Sequence, residues 1–343
     1  MTRRLSVVVA VKRTSWRRAL DGAGDPEVRA MVQRGDPAVA RMRLAHQEHE
    51  ATLREVEAAL RELDMAATYV PASAPTFDAD GADLVLTVGG DGTLLTASHH
   101  VARGPVLGVN SAPSSSVGYF CAARLGSVEP VLAAFRRGTL PSYTLARMEV
   151  TLNGETVSRR VLNDALFCHA SPAATSRYVL AFGQTEEEQR SSGFWVGPAA
   201  GSTAAQRSAG GVVLPLTSEQ LQFVVREPYT PGGSPLALAR GLVTPGERLR
   251  AISKMGGARL FLDGPTEVHE VGLGDTLEFR RSDEPLAVLG LRAGLAPPLG
   301  RTARGARAAR GLRPAGRPRR PGLRAASRRA ECRRRRCRSL RRG

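Results

Sequence analysis

Apolar and polar positions along the chain follow two patterns, which meet near Pro141. In the first part, short continuous apolar runs, typical of strands buried on both faces, alternate with runs spaced by three and four residues, which are typical of helices. The predicted strands are 6–11, 68–70, 84–88 and 106–109, and the predicted helices are 39–63, 94–102 and 128–135. This alternation predicts a parallel sheet with helices on both faces.

Two further stretches of this half need separate interpretation. The polar residues 21–38 contain Gly and Pro and predict a loop with about one helical turn. His46 and His49 lie one turn apart on the apolar stripe of the helix 39–63. They could bind a metal, but no third ligand is evident, so we interpret them as the edge of a buried face.

After Pro141 the pattern changes to short runs separated by turn residues, which predicts a β-rich second domain. Residues 143–152 and 155–162 flank Asn153-Gly154, a strong hairpin signal, and Asp263-Gly264 predicts another tight hairpin. Further strands are predicted at 178–183, 193–196, 221–226, 248–252, 276–281 and 286–291. Residues 203–210 are the place in this half where a helix could begin.

Glycines surround one aspartate directly after the buried strand 84–88, in the order Gly89-Gly90-Asp91-Gly92-Thr93. Glycine lets the backbone turn sharply and approach a ligand, and amides at a helix start can hold phosphate oxygens. A carboxylate repels phosphate, so Asp91 suggests a base or a ligand of phosphate-bound Mg²⁺. The alternative is an ordinary β–α turn with a solvated Asp91. The motif matches neither Walker A nor the dinucleotide fingerprint.

Two other stretches carry polar groups suited to a nucleotide. Asn163-Asp164 ends a predicted hairpin strand, and an amide beside a carboxylate can bind a ribose diol, although a plain turn is the alternative. Residues 193–211 combine small residues with the hydroxyls of Ser202, Thr203 and Ser208, which suit a flat ligand close to the backbone. That segment could equally be a loop with a capped helix start.

In this order and spacing, the three stretches resemble the NAD kinase family over about residues 80–290. Gly89–Thr93 matches the family's Gly-Gly-Asp-Gly motif, Asn163-Asp164 its Asn-Glu motif, and Gly201–Ala204 its Gly-Ser-Thr-Ala-Tyr motif. The resemblance implies an NAD kinase-like fold: an N-terminal α/β domain with a Rossmann-like parallel sheet and an all-β, sandwich-like C-terminal domain. We expect the α/β domain at 1–141, the β-rich dinucleotide-binding domain at 142–275, a segment returning to the first domain at 276–296, and an Arg-rich disordered tail at 297–343.

The resemblance also implies a reaction, transfer of the ATP γ-phosphoryl to the adenosine ribose 2′-hydroxyl of NAD⁺ or NADH, with Mg²⁺ accompanying ATP. Asp91 would be the catalytic base, and the phosphate-binding residues would be Gly89, Gly90, Gly92 and Thr93. The dinucleotide-binding residues would be Asn163, Asp164, Arg190, Ser202, Thr203, Ala204 and Ser208. The family forms dimers and tetramers, so we expect a homodimer or homotetramer. No resident protein metal site is expected.

Several departures from the family pattern resemble its plant-type NADH kinase branch. Ala205 stands where the family usually has Tyr, Ser192 where most members have Asp, and Asp164 where Glu is usual. The wording Asn110-Ser111-Ala112-Pro113 is also similar to that branch. These resemblances imply that NADH is used as well as, or in preference to, NAD⁺.

Charge and cysteine content refine the picture. Residues 301–343 hold 18 arginines and one glutamate, which equals the whole net charge of +17, so the remainder is neutral overall. The tail could bind nucleic acid, but it lacks interleaved aromatics, and a non-adaptive extension is the favoured interpretation. Four scattered cysteines and the lack of a membrane-length apolar run favour a reducing, cytoplasmic location without membrane contact.

The rival functions are a lipid kinase of the diacylglycerol or sphingosine type, which shares the Gly-Gly-Asp-Gly motif, and a nucleic-acid-binding protein.

Overall fold

A seven-stranded sheet forms the N-terminal part of the chain in the computed structural model, which describes residues 3–21, 24–233 and 235–291. Its first six strands are β1 (Ser6–Val11), β2 (Ala66–Pro71), β3 (Leu84–Gly89), β4 (Pro105–Asn110), β5 (Cys121–Arg124) and β6 (Ser142–Leu145). The order is β2-β1-β3-β4, with β5 also paired to β4, and these five strands are parallel. Every residue of β3 is buried, as its continuous apolar run predicts.

The helices of this part lie between the parallel strands. They are α1 (Ser15–Leu20), α2 (Pro26–Arg34), α3 (Ala40–Glu62), α4 (Asp91–Ser98) and α5 (Val128–Arg136). The predicted stripe of α3 is confirmed, since Val56, Ala59 and Leu60 are buried against the sheet.

Two predictions for helices in this part were wrong in detail. Residues 21–38 hold the nine-residue helix α2, which starts at Pro26 after the Asp25 cap, rather than a loop with one turn. Helix α4 begins at Asp91, three residues before the predicted start, because the glycines on both sides of Asp91 do not prevent helical geometry there. The carboxylate of Asp91 therefore lies in the first turn of α4.

The second part consists of two six-stranded antiparallel sheets. One contains β7 (Met148–Leu152), β8 (Glu155–Val161), β10 (Ser176–Phe182), β11 (Thr185–Ser191), β15 (Arg248–Ser253) and β18 (Thr276–Arg281). The other contains β9 (Ala165–His169), β12 (Phe194–Pro198), β13 (Leu221–Val225), β14 (Arg240–Val243), β16 (Ala258–Leu262) and β17 (Glu267–Val271). A short helix, α6 (Ala205–Ser208), follows a 3-10 turn at Ala199–Thr203.

Aromatic side chains from both antiparallel sheets form one core. Phe167 and Phe194 come from one sheet and Tyr178 and Phe279 from the other, and four pairs among these rings have centroids 5.2–5.8 Å apart. All four side chains are fully buried. Rings at such separations pack edge-on or tilted and stabilise the interface between sheets. The predicted sandwich-like second domain is therefore confirmed.

The predicted hairpins at Asn153-Gly154 and Asp263-Gly264 are both present, as β7–β8 and β16–β17. The predicted strand 143–152 was wrong as a single strand, because it divides into β6 and β7, which belong to different sheets. Alternation alone does not indicate which partner a strand will pair with.

The chain returns to the first sheet near the end of the described residues. The seventh strand of that sheet, β19 (Leu286–Leu289), lies between β4 and β6, parallel to the first and antiparallel to the second. The preceding strand, β18, remains in the antiparallel sheet with β7 and β15. All described residues fall within one compact unit, Met1–Gly300, and the three boundaries between the four expected segments stay a prediction. The expected tail, 297–343, lies outside the described residues.

Candidate active site

The glycine turn joins β3 to α4 at the carboxyl end of the parallel sheet. A Cβ on Gly89 would overlap the Thr93 side chain, and one on Gly90 would overlap the Ser116 hydroxyl, so both positions require glycine for packing. Nothing lies within 4 Å of the position that a Cβ on Gly92 would take. Of the three glycines, Gly92 therefore presents its backbone to open space, where a ligand can approach.

Asp91 is half-buried in the first turn of α4, and its carboxylate is held from outside the helix. Its Oδ1 accepts a hydrogen bond from the backbone N–H of Phe120 at 2.8 Å. The thiol of Cys121 lies close enough that burial, together with the negative charge of Asp91, raises its pKa to about 12. Asp91 is thus fixed between the glycine turn and the start of β5, with the carboxylate directed toward the residues that follow β4.

The polar loop after β4 packs directly on the glycine turn. Ser111 donates its N–H to the Gly89 carbonyl at 2.7 Å, and the Ser111 hydroxyl lies 2.8 Å from Nδ1 of the buried His49. Burial lowers the pKa of His49, which favours the neutral imidazole. His49 therefore holds this loop in place, as a buried-face residue would, and His46 instead contacts the Thr14 hydroxyl. Within the described residues, no group of three or more metal-ligating side chains converges.

Asn163 and Asp164 follow β8, and a single carboxylate holds the backbone of this segment. Asp263 Oδ1 accepts the N–H groups of Asn163 and Asp164 at 2.6 and 3.0 Å, and its Oδ2 accepts that of Leu162 at 2.8 Å. The Asp263 side chain is only 3% exposed. The sequence does not single out Asp263 for this role, because Asp263-Gly264 predicts only a tight turn.

Asp164 is itself buried, at 6% exposure, and accepts a hydrogen bond from Nδ2 of Asn163 at 2.7 Å. Burial, followed by the negative charge of Asp263, raises the pKa of Asp164 to about 7. A carboxylate that is this poorly hydrated gains strongly from hydroxyl donors, because they replace the water that burial removed. The pair can therefore bind a diol.

The turn at 197–208 packs against the Asn163 backbone. A Cβ on Gly197 or Gly201 would overlap the Asn163 carbonyl oxygen, and the buried Gln206 donates to the same oxygen at 3.4 Å. Ser202 is fully buried, and its hydroxyl donates to the Ala199 carbonyl at 2.7 Å. It also accepts the N–H of Leu214 at 3.0 Å. The Ser202 side chain therefore holds the turn together.

The remaining predicted dinucleotide-binding residues differ in their surroundings. Ala204 and Ser208 are exposed and Thr203 is half-buried, so these three lie on the outer side of the same turn. Arg190 lies on the edge strand β11, where it lines a separate cavity of about 300 Å³ with Arg177 and Tyr229. The turn residues stand close to Asn163, whereas Arg190 faces this other cavity. Every one of these binding roles stays a prediction.

Apolar packing brings the three sequence motifs into one region. Leu94 and Leu95 from α4, Leu162 before the Asn-Asp pair, and Ala200 in the second glycine-rich turn belong to one buried cluster. Phe120, whose N–H holds Asp91, lies in the same cluster. The region combines a carboxylate at a helix start, a buried amide–carboxylate pair and a small-residue turn. These parts suit transfer of a phosphoryl group to a sugar hydroxyl, which defines a class of phosphotransferase.

Comparisons with known proteins identify the family within this class of phosphotransferase. The family model described as "ATP-NAD kinase N-terminal domain" matches residues 30–135. A probable NADH kinase of Oryza sativa is 38% identical over 226 residues, 60% of this chain and 69% of the relative. An NADH kinase of Arabidopsis thaliana is 38% identical over 236 residues, covering 62% and 74%. The chain belongs to the NAD kinase family, and its activity is that of a kinase phosphorylating NAD(H).

Solved structures show the same fold. An NAD kinase from Archaeoglobus fulgidus, in complex with ATP, superposes with a TM-score of 0.61 at 19% identity, covering 85% of this chain and 96% of that one. Yeast NADH kinase complexed with NADH gives a TM-score of 0.59 at 15% identity, covering 86% of each chain. The predicted fold class, an α/β domain followed by a β-sandwich, is confirmed by these likenesses.

Proposed function

We propose that the chain transfers the γ-phosphoryl group of ATP to the 2′-hydroxyl of the adenosine ribose of NAD⁺ and NADH, giving NADP⁺ and NADPH. The hydroxyl oxygen forms the new bond to phosphorus, the bond from phosphorus to the ADP oxygen breaks, and the hydroxyl proton passes to Asp91. The observation that carries the proposal is the position of Asp91. It is held by Phe120 at the start of a helix whose Leu94 and Leu95 share one buried cluster with Leu162, the residue directly before the Asn163-Asp164 pair.

In this proposal, the other predicted residues bind the two substrates. Gly89, Gly90, Gly92 and Thr93 position the phosphates through the turn, with Gly92 offering its backbone to them. Asn163 and Asp164 hold the ribose diol, and Thr203, Ala204 and Ser208 line the dinucleotide pocket, with Arg190 a further contact. Ser202 supports the pocket by fixing the turn rather than by touching the ligand, because its hydroxyl is buried.

Mg²⁺ fits this site as a companion of ATP. It binds proteins through one or two carboxylates and keeps water and substrate phosphates as its other ligands. Asp91 is the carboxylate at the glycine turn that could contribute to such a shell, and the ion would neutralise charge on the donor phosphates.

We propose, further, a cytoplasmic homodimer or homotetramer. Cys121 and Cys168 are both free thiols, in agreement with a reducing compartment. None of the helices in the described ranges is long and apolar enough to span a membrane.

The plant relatives support NADH as a substrate, since the rice and Arabidopsis proteins are named as NADH kinases. We propose that this chain accepts NADH at least as well as NAD⁺. Initial rates with ATP–Mg²⁺ and each redox form, with diacylglycerol as a third acceptor, test this preference. A lipid turned over faster than either dinucleotide would contradict the proposed substrate class.

The first prediction concerns Asp91. Replacing it by Asn keeps the shape and the bond from Phe120 while removing the proton acceptor, so kcat should fall by about 10²- to 10⁴-fold. The dissociation constant for NADH, measured by fluorescence, should stay within about threefold because Asn preserves the pocket. The matched control is Asp80→Asn, an exposed aspartate in the loop before β3. An Asp91→Asn enzyme with more than a tenth of wild-type kcat would contradict the assigned role.

A further inference from the structure

The C-terminal end of α4 contacts the β-sandwich through an ionic contact outside the predicted site. His99 directly follows α4, and its Nε2 lies 2.8 Å from Asp263 Oδ2. Its other ring nitrogen, Nδ1, lies 3.2 Å from Glu267 Oε2. Both ring nitrogens face carboxylates, and only the imidazolium form has an N–H on each of them. This arrangement therefore favours the protonated, positively charged form of His99.

The surroundings of His99 favour the same state. Burial opposes the charge, but the hydrogen bond to Asp263 and the negative charges of Asp263 and Glu267 more than offset it, so the pKa of His99 is raised. The nearby charged or titratable groups are Asp263, Glu267, Arg147, Arg160 and His100. Arg147 acts in the opposite direction, and Arg160 donates to the backbone carbonyl of His99 rather than to its ring.

Asp263 accepts from His99 with the same carboxylate that accepts the N–H groups of residues 162–164. It therefore stands between the end of the helix that begins at Asp91 and the segment that carries Asn163 and Asp164. Helix α4 has eight residues, a length of about 12 Å. We call the contact between His99 and Asp263 the joint. Because α4 is short and fixed at the joint, a displacement there moves the Asp91 carboxylate at the other end of the helix.

Arginine side chains fix the same helix end. Arg147 is fully buried and donates from Nη1 to the carbonyls of Ser98 and Val101 at 3.0 and 2.9 Å. Arg160 donates to the His99 carbonyl at 2.9 Å. Cations stabilise the C-terminal carbonyls of a helix, so these two arginines anchor this end of α4 together with the contact between His99 and Asp263.

We propose that His99, acting through Asp263, is a positioning residue that holds the Asn163-Asp164 pair in register with Asp91. This role rests on the proposed function, in which that pair holds the ribose and Asp91 takes its proton. Because geometry errors near 1 Å reduce rates about 100-fold, loosening the joint should impair catalysis without removing any group that touches substrate.

The test uses two substitutions at the joint and a matched control. His99→Gln keeps one N–H donor toward Asp263, and Asp263→Asn tolerates the left-handed backbone at that position, φ 49°, while losing one acceptor oxygen. Both should lower kcat/KM for NADH by about 10- to 100-fold, with His99→Gln the milder. The control is His269→Gln on β17, whose Nε2 lies 3.6 Å from Glu267 Oε1. It should stay within about twofold of wild type.

A pH profile separates positioning from simple loss of folding. In the wild type, kcat/KM should fall as pH rises through the raised pKa of His99, because neutral imidazole cannot donate to both carboxylates. Glu267→Gln leaves the ring in place but removes one negative charge, so this alkaline fall should move to lower pH. Wild-type profiles in both His99→Gln and Glu267→Gln would overturn the proposal.

Amide hydrogen exchange provides a readout that does not depend on activity. The N–H groups of residues 162–164 should exchange faster in Asp263→Asn and His99→Gln than in the wild type or His269→Gln. Unchanged exchange in both joint variants would overturn the proposal even if their activity fell. Lack of NAD(H) kinase activity in the wild type would instead contradict the proposed function, while the exchange result would still report on the joint.

Discussion

At the scale of single residues, Asp164 shows how a site can trade stability for binding. Its pKa, raised to about 7 by burial and by Asp263, means that the folded protein holds a proton where the unfolded chain, with an ordinary pKa of 3.8, has released it. The folded state binds more protons between those two values, so the contribution of Asp164 to stability declines as pH rises from about 4 to about 7 and then levels off.

Replacing Asp164 by Asn should therefore separate stability from activity. At pH 8 the free energy of unfolding of the variant, measured by urea denaturation, should exceed that of the wild type by ~1–2 kcal/mol, because the variant carries no buried charge. At pH 5 the difference should shrink. Its kcat/KM for NADH should fall at least about tenfold, because an amide does not accept both ribose hydroxyl protons. A variant less stable than the wild type at pH 8 would show that Asp164 is not strained by its burial.

The identity of the chemically reactive residues could be predicted from the sequence more readily than the contacts that hold them. Asp91, Asn163 and Asp164 were singled out because glycine-flanked carboxylates and amide–carboxylate pairs are chemically distinctive. Asp263 was not, because its role depends on backbone groups about 100 positions earlier in the chain. Nothing in the local sequence of a hairpin turn indicates which distant N–H groups will meet its first side chain.

At the scale of elements, the β3–α4 unit combines a buried strand, a turn and a helix with two different demands on glycine. Gly90 contacts the loop after β4 so closely that no Cβ fits beside Ser116, whereas Gly92 faces open space. The backbone at Gly90 is extended, with φ −121°, so the requirement there is steric rather than conformational.

Alanine substitutions at these two glycines should give opposite results. Gly90→Ala should displace Ser116 and its loop, lower the melting temperature by several degrees and reduce kcat/KM more than about tenfold. Gly92→Ala should preserve or slightly raise the melting temperature, because alanine is the better helix former. Any loss of activity in Gly92→Ala then reports on phosphate approach. Equal melting temperatures for the two variants would contradict this assignment of roles.

The elements themselves were predicted unevenly from sequence. The stripe of α3 and the Asn153-Gly154 hairpin carry strong local signals, and both were correct. Helix α2 does not stand out in the sequence because it is short, begins with a proline and buries only Val32. Strands β6 and β7 were joined because nothing local separates them, and only tertiary pairing assigns them to different sheets.

At the scale of the whole molecule, charge is divided sharply along the chain. The net charge of +17 comes entirely from residues 301–343, and the rest of the chain is neutral overall. Among the described residues, the last strand of the first sheet is β19, which ends at Leu289. The predicted nucleotide-site residues, from Gly89 to Ser208, all precede this strand.

Deleting residues 297–343 should leave kcat and KM for NADH within about twofold of the full chain, since every described strand and every proposed site residue lies before residue 297. Retention on a heparin column should be lost, because the deletion takes away the whole net positive charge. The comparison needs both forms at equal ionic strength. Loss of kinase activity on deletion would give the tail a catalytic role and contradict this prediction.

The position of β19 has a consequence for synthesis on the ribosome. The sheet that carries the glycine turn is finished only when residues 286–289 insert between β4 and β6. The first sheet therefore stays incomplete, with the strand between β4 and β6 missing, until the strands of the sandwich have also emerged from the ribosome. A nascent chain of this protein therefore leaves the edges of β4 and β6 open to pairing with other chains until almost all of residues 3–291 has been translated.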